Sequence, residues 1–380
     1  MTNKIEIHGY CEERFEPVKK VLAQNIESGS DIGASFAATI DGKFVIDIWG
    51  GYTDAAQTRE WERDTIVNVF STTKVMSVLC VLMLIDRGFI DLDSPVANYW
   101  PEFSQSGKEQ LPVRYLLSHT AGLPGFSKVI KMETLYNWEE IINILAAQTP
   151  SWEPGTRSGY HGITQGYLLG ELVKRVSGKT IGTFFREEIS DPLNADFHIG
   201  LSEEHDSRVA DLIAPPPDPS QLMENNEELR AARGFFDPIL PIEKCLTREW
   251  RGAEIPAANG HGNARSVARI GAAIACGGEL DGVHLLSLKT IEKAIEEQSY
   301  TKDLVMQIPI RWGLGFGLNS KEIRLGRNPR AFCWGGWGGS SLVMDLDEKI
   351  SYAFVMNKMN NTLLGDARSA NLGRAFLKSK

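Results

Sequence analysis

Residues 71–88 limit what this chain can fold into more than any other stretch. Ser71-Thr72-Thr73-Lys74 leads into Val75 to Ile85, a run that is apolar nearly all round a helix. A helix without a polar stripe belongs inside a core. Arg87-Gly88 closes it with a charged last turn and a glycine suited to a helix C-terminus. Positions i and i+3 share a helix face, so the Ser71 hydroxyl and the Lys74 amine are placed to meet. A serine hydroxyl is a poor nucleophile until an adjacent base takes its proton. A lysine becomes that base when apolar surroundings disfavour its charged form. Alone, Ser-x-x-Lys is a common pattern that usually marks a helix start followed by a solvated lysine, so the rest of the chain has to decide.

The 380 residues allow one large domain or a few small ones. A net charge of −9 with no basic block argues against nucleic acid or an anionic membrane as partner. Cys11, Cys80, Cys245, Cys276 and Cys333 are scattered and odd in number. No pair or Cys/His cluster has zinc spacing, so free thiols in a reducing compartment fit best. Met1 to Tyr10 is polar and lacks the apolar core of a signal peptide. The run from Val75 is too short to span a bilayer. These features predict a cytoplasmic protein with neither a membrane nor a nucleic acid as partner.

Strand signals lie at both ends of the chain and helical signals between them. Arg14 to Glu27 has helical spacing of Phe15, Val18, Val21 and Leu22. Ile32 to Trp49 reads as two strands joined at Asp41-Gly42, a strong hairpin signal. A helix is predicted from Thr164 to Val176, closed by Ser177-Gly178, and another capped by Ser266 and stopped at Gly277-Gly278. Ala214 to Asn226, with the run Pro215-Pro216-Pro217, reads as a surface excursion. Strand character returns from Trp312, with strands at Leu342 to Met344 and Ile350 to Val355, before a final helix from Leu363 to Leu377. The glycines between Trp334 and Ser340 favour close approach of backbone or ligand over a strand interior. His119 and His261 are candidate bases, but each sits beside a glycine turn and reads better as a structural support. Tyr160, between glycines and ahead of a helix, is placed either to enter a cleft or to fill a core gap.

Three stretches recur in order: Ser71-Thr72-Thr73-Lys74, Tyr160-His161-Gly162 and Trp334-Gly335-Gly336. They resemble the Ser-x-x-Lys, Tyr-x-Asn and Lys-Thr-Gly signatures of the serine β-lactamase and penicillin-binding-protein superfamily. Within it the chain looks most like the family VIII carboxylesterases, relatives of class C β-lactamases. Leu116 to Leu123, Trp152-Glu153-Pro154-Gly155, Gly260-His261-Gly262-Asn263-Ala264 and Val355-Met356-Asn357-Lys358-Met359 support this, and the resemblance spans about residues 15 to 375. Two departures stand out. Gly162 replaces the asparagine, and Trp334 replaces the lysine that helps to hold a β-lactam carboxylate.

The resemblance implies an α/β (α+β) fold of the β-lactamase type, an antiparallel sheet flanked by helices with an inserted helical region. Residues 1–74 and 300–380 would form the sheet part, and 75–299 the helical part. It implies acyl transfer through an acyl-enzyme on Ser71, with Lys74 and Tyr160 sharing the proton work and Tyr160 held partly as phenolate. The oxyanion donors would be the backbone N–H groups of Ser71 and Trp337. Trp334, Gly335 and Gly336 would line the substrate site, Trp334 as an apolar wall. No metal or organic cofactor is needed. The implied substrate is a short neutral ester, with weak or no turnover of β-lactams. An acyltransferase, an amidase or D-amino-acid peptidase, and an inactive binding protein are the alternatives.

Overall fold

The computed structural model describes residues 5–215, 240–326 and 328–380. Most of the expected excursion from Ala214 to Asn226 lies outside them. Nine strands form one antiparallel sheet: β1 (Ile7–Cys11), β2 (Gly33–Ile40), β3 (Lys43–Gly51), β4 (Ser299–Lys302), β5 (Pro309–Trp312), β6 (Gly317–Leu318), β7 (Ala331–Gly335), β8 (Ser341–Asp345) and β9 (Ile350–Met356). Their order is β1-β3-β2-β9-β8-β7-β6-β5-β4. Strands from the two ends of the chain therefore meet at the centre, where β2 pairs with β9 from Ile40↔Ile350 to Ala34↔Met356. The β2–β3 hairpin turns at Asp41-Gly42 as expected, with φ of +48° and +76°, the left-handed geometry that suits a tight hairpin.

Helices cover both faces. α1 (Glu16–Glu27) packs with the C-terminal helix α6 (Ala367–Ser379), where Phe15 meets Phe376. Gly373 of α6 presses on Tyr352 of β9, while the next residue back along the strand, Ser351, faces Gly271 of α5 (Ala264–Ala275). Adjacent strand residues point to opposite faces, so α5 and the α1/α6 pair sandwich the sheet. Although α5 falls within the stretch assigned above to the helical part, it packs on β2, β8 and β9. The helical part proper centres on α2 (Thr73–Asp86), buried throughout its first three turns and packed against α4 (Thr164–Ser177). Between them in the chain runs α3 (Trp138–Ala147), packed on α4. All five cysteines are free. No helix among the described residues is long and apolar enough to cross a membrane.

Two helix starts differ from the sequence reading. The cap of α5 is Asn263, whose side chain accepts from the Ser266 N–H while Ser266 Oγ accepts from the Asn263 N–H. Ser266 is thus the third helical residue of a capping box. The last helix begins four residues later than expected, because Gly365 takes φ +67° and Asp366 caps the chain after it. Asn263→Ala should lower the free energy of unfolding by about 1 kcal/mol, measured by urea titration, and Ser266→Ala by less.

Candidate active site

The first turn of α2 brings Ser71 and Lys74 together as the i, i+3 spacing requires. A short 3-10 turn, Phe70–Thr72, precedes the helix. Phe70 has φ +43°, a left-handed conformation that costs a non-glycine residue about 1–2 kcal/mol. That strain sits beside the serine hydroxyl. Both side chains are buried, and Lys74 Nζ lies 3.1 Å from Ser71 Oγ.

Among the described residues Lys74 has no carboxylate partner. Its amine lies 2.5 Å from the carbonyl oxygen of Gly162 and 2.9 Å from that of Ala257. Burial holds its pKa well below the usual lysine range. A neutral amine has two hydrogens and one lone pair. The two carbonyls take the hydrogens, and the lone pair is left for the Ser71 hydroxyl proton. Gly166 makes this packing possible, since a Cβ there would lie 2.4 Å from the Ala257 nitrogen.

Tyr160 reaches the same hydroxyl from the other side. Its phenol oxygen is hydrogen-bonded to Ser71 and accepts from the Trp334 indole Nε1–H at 3.2 Å. Lys74 Nζ stands over the Tyr160 ring, 4.9 Å from its centre. Burial pushes the phenol pKa up, with the Ser71 and Trp334 bonds working against it. The expected phenolate is therefore not what burial favours: it pushes both Lys74 and Tyr160 towards their neutral forms. Trp334 also differs from its expected role. It is 1% exposed, so its indole is a donor to Tyr160 and not a broad wall for substrate.

The β7 strand ends in Gly335, and the chain turns through Gly336 to Ser340 beside Ser71. A Cβ on Gly336 would fall 2.1 Å from the Val69 oxygen and 3.1 Å from the Ser71 nitrogen, so only glycine fits. The Ser71 and Trp337 N–H groups have no hydrogen-bond acceptor among the described residues. Trp337 packs edge-on against Phe70 at 5.1 Å and stays half-buried.

Neither candidate histidine touches Ser71. His119 Nδ1 accepts from the His161 N–H at 3.1 Å, and its ring stands edge-on to Tyr160 at 5.0 Å. His261 donates from Nδ1 to the Asn259 carbonyl at 2.7 Å. Both support turns, as the sequence suggests. His161 bridges Gly159 O and the Leu123 N–H, so its tautomer is fixed.

Sequence reasoning missed Asp303. This buried carboxylate accepts the N–H groups of Tyr160, Val305 and Met306 through Oδ1 and the Trp312 indole through Oδ2. It thereby fixes the backbone that carries the phenol. Nothing in its local sequence marks it, because its partner is 143 positions away.

A family model for beta-lactamases matches residues 18–375, and the chain belongs to the beta-lactamase family. Among characterised relatives it is 32% identical over 370 residues to the esterase/beta-lactamase LipL of Mycobacterium tuberculosis, covering 94% of this chain and 84% of that one. The crystal structure of a family VIII carboxylesterase superposes with a TM-score of 0.93 at 39% identity, covering 99% of this chain and all of the other. A penicillin-binding-protein homologue from Caulobacter crescentus gives 0.92 at 40% identity, with 99% and 100% covered. The β-lactamase-like fold expected from the three motifs is the one observed.

Burial of the three histidines makes stability depend on pH. His161 and His261 are pushed down to about 3 by burial, and His119 is lowered for the same reason. Unfolded, each takes up a proton near pH 6.5. Unfolding therefore binds protons below that pH, and stability falls as pH drops from 6.5 towards 3. Asp31, pushed up to about 6 by burial, opposes this with one proton. The urea midpoint should fall between pH 7.5 and pH 5. A flat midpoint would contradict neutral buried imidazoles.

Proposed function

We propose that this chain is a carboxylesterase that cleaves short neutral esters through an acyl-enzyme on Ser71. The observation that carries the reading is the Lys74 amine, uncharged by burial and turned by two carbonyls so that its lone pair faces Ser71 Oγ. LipL and the family VIII carboxylesterase, both named as esterases, support the same reaction class.

The steps follow from these positions. Ser71 Oγ attacks the ester carbonyl carbon and its proton passes to Lys74. The carbonyl oxygen becomes an anion facing the Ser71 and Trp337 N–H groups, aimed before the charge develops. The neutral Tyr160 phenol gives its proton to the leaving alkoxide, and the proton that Lys74 took from Ser71 returns to the phenolate. The products of this half are an alcohol and the Ser71 acyl ester. Water then attacks that ester, Lys74 again takes a proton, and Ser71 leaves with one restored. The sheet part and the helical part meet at this site, with Ser71 in the turn that leads into α2, Lys74 on α2, and Trp334 to Trp337 at the end of β7. The acidic balance fits a small-molecule substrate rather than a nucleic acid.

Substrate charge follows from Trp334. An indole stands at the phenol where the resembling enzymes place an ammonium, and Gly162 offers no side-chain amide. A substrate carboxylate desolvated here would lack a charged partner, which costs several kcal/mol. A neutral ester carries no such penalty.

Ser71→Ala should abolish hydrolysis of p-nitrophenyl butyrate without changing the unfolding midpoint, and Lys74→Ala should be nearly as severe, because such groups act as a unit. Tyr160→Phe should lower kcat by roughly a hundredfold. In the wild type, kcat/KM should climb to a plateau with an apparent pKa well under that of free lysine, reporting loss of the Lys74 proton. Retained turnover in Ser71→Ala or Lys74→Ala would remove the proposed site.

The ratio of kcat/KM for nitrocefin to that for p-nitrophenyl butyrate should lie well below one, and Trp334→Lys should raise it. A wild-type ratio at or above one would make the protein a β-lactamase first. Adding an alcohol acceptor and analysing products separates hydrolysis from acyl transfer.

A further inference from the structure

Ser340 links the two turns that carry the proposed oxyanion donors. It is buried in the turn after Gly336, and the Gly336 N–H donates to its backbone carbonyl at 2.8 Å. Its hydroxyl lies 2.8 Å from the Val69 carbonyl and 2.9 Å from Thr72 Oγ1. A carbonyl only accepts, so the single hydroxyl hydrogen of Ser340 goes to Val69. Thr72 must then be the donor to Ser340 Oγ. The hydroxyl thus grips both sides of the 3-10 turn, one residue before the strained Phe70 and one residue after Ser71. The Val69 N–H is tied separately to the Gly260 carbonyl at 2.9 Å, so Val69 is held at both of its polar groups.

We propose that Ser340 is a positioning residue for the reaction: its hydroxyl sets the distance and angle between the Ser71 and Trp337 N–H groups and holds Phe70 in its left-handed conformation. The proposal rests on the reading of those two N–H groups as the oxyanion hole. Three details make Ser340 the fitting strut. Gly336 leaves no side chain between the turns, and a Cβ there would sit 2.4 Å from Ser340 Oγ, so hydroxyl and backbone fill the gap between them. Between Phe70, the neighbour of one donor, and Trp337, which carries the other, there is only a ring contact, which fixes no hydrogen-bond geometry. Ser340 bonds to both flanks of the serine turn, whereas the Lys74 amine is held by Ser71 Oγ and the Gly162 and Ala257 carbonyls. Its loss should therefore disturb anion stabilisation and leave the proton-transfer groups in place.

The test is Ser340→Ala, assayed with p-nitrophenyl butyrate after titration of active sites with a fluorophosphonate. We expect kcat per titrated site to fall about 10- to 100-fold, the range for a misplaced catalytic group, with KM within about threefold and the pH profile of kcat/KM unmoved. Phenylboronic acid forms a tetrahedral anion on Ser71, and its affinity should fall by about the same factor as kcat/KM. Ser340→Thr, which keeps the hydroxyl, should restore most of both. Should Ser340→Ala not fold, Thr72→Val removes one arm of the strut, and parallel losses of several-fold in turnover and boronate affinity are expected. Turnover per titrated site within twofold of wild type, or a loss explained wholly by fewer titratable sites, would overturn the role. A shifted pH profile would overturn it too, by placing Ser340 with the proton-transfer groups. Hydrolysis that survives Ser71→Ala would instead bring down the site itself, a separate result from any of these.

Discussion

The site depends on one amine kept dry. Burial out of water disfavours its ammonium form and holds its pKa well below the usual lysine range. The same burial that raises the cost of the charge suits the amine to the role of base proposed for it. The two carbonyls that receive the amine's hydrogens come from different places, Gly162 at the head of α4 and Ala257 ahead of the short strand at His261. The first turn of α2 is therefore tied to two other parts of the chain by the same group that activates the serine. Packing and chemistry cannot be changed independently here.

The phenol follows the same logic. A tyrosine beside an ammonium would lean towards its anion, but Trp334 offers only a neutral indole N–H, and the buried Asp303 stands under the backbone of the same loop. In the proposed mechanism base and acid are thus separated by residue type: the lysine, pushed by burial towards its neutral form, accepts, and the tyrosine gives. The indole that sets this division also removes the cation an anionic substrate would seek. Proton inventory and substrate charge are two readings of a single tryptophan.

Much of this was legible in the chain before folding. The Ser71–Lys74 pairing is local, set by three helix positions, and the Asp41-Gly42 hairpin is set by two residues. The strands at both ends and the three motifs gave the fold class. What stayed hidden depends on atoms without a sequence signature. The Ala257 carbonyl belongs to the backbone, and any residue type supplies one. Asp303 and Ser340 act across 143 and 271 positions, with nothing local to mark them. Trp334 was noticed, but its indole could point at the phenol or the substrate, and only packing decides. The Asn263 cap was mistaken for Ser266 because both belong to one reciprocal pair.

The meeting of β2 with β9 also has a consequence in time. The Gly33 N–H donates to the Asn357 side chain 324 positions later, at the centre of the sheet. At about 5–20 residues per second of synthesis, the β2–β3 hairpin waits tens of seconds on the ribosome before its partner strand exists. Until then Gly33–Ile40, buried along nearly its whole length in the finished protein, presents an open apolar edge to every other nascent chain nearby. The helix that follows Ser71 is complete long before the turn at Gly336 that faces it is made, some 250 residues further along the chain.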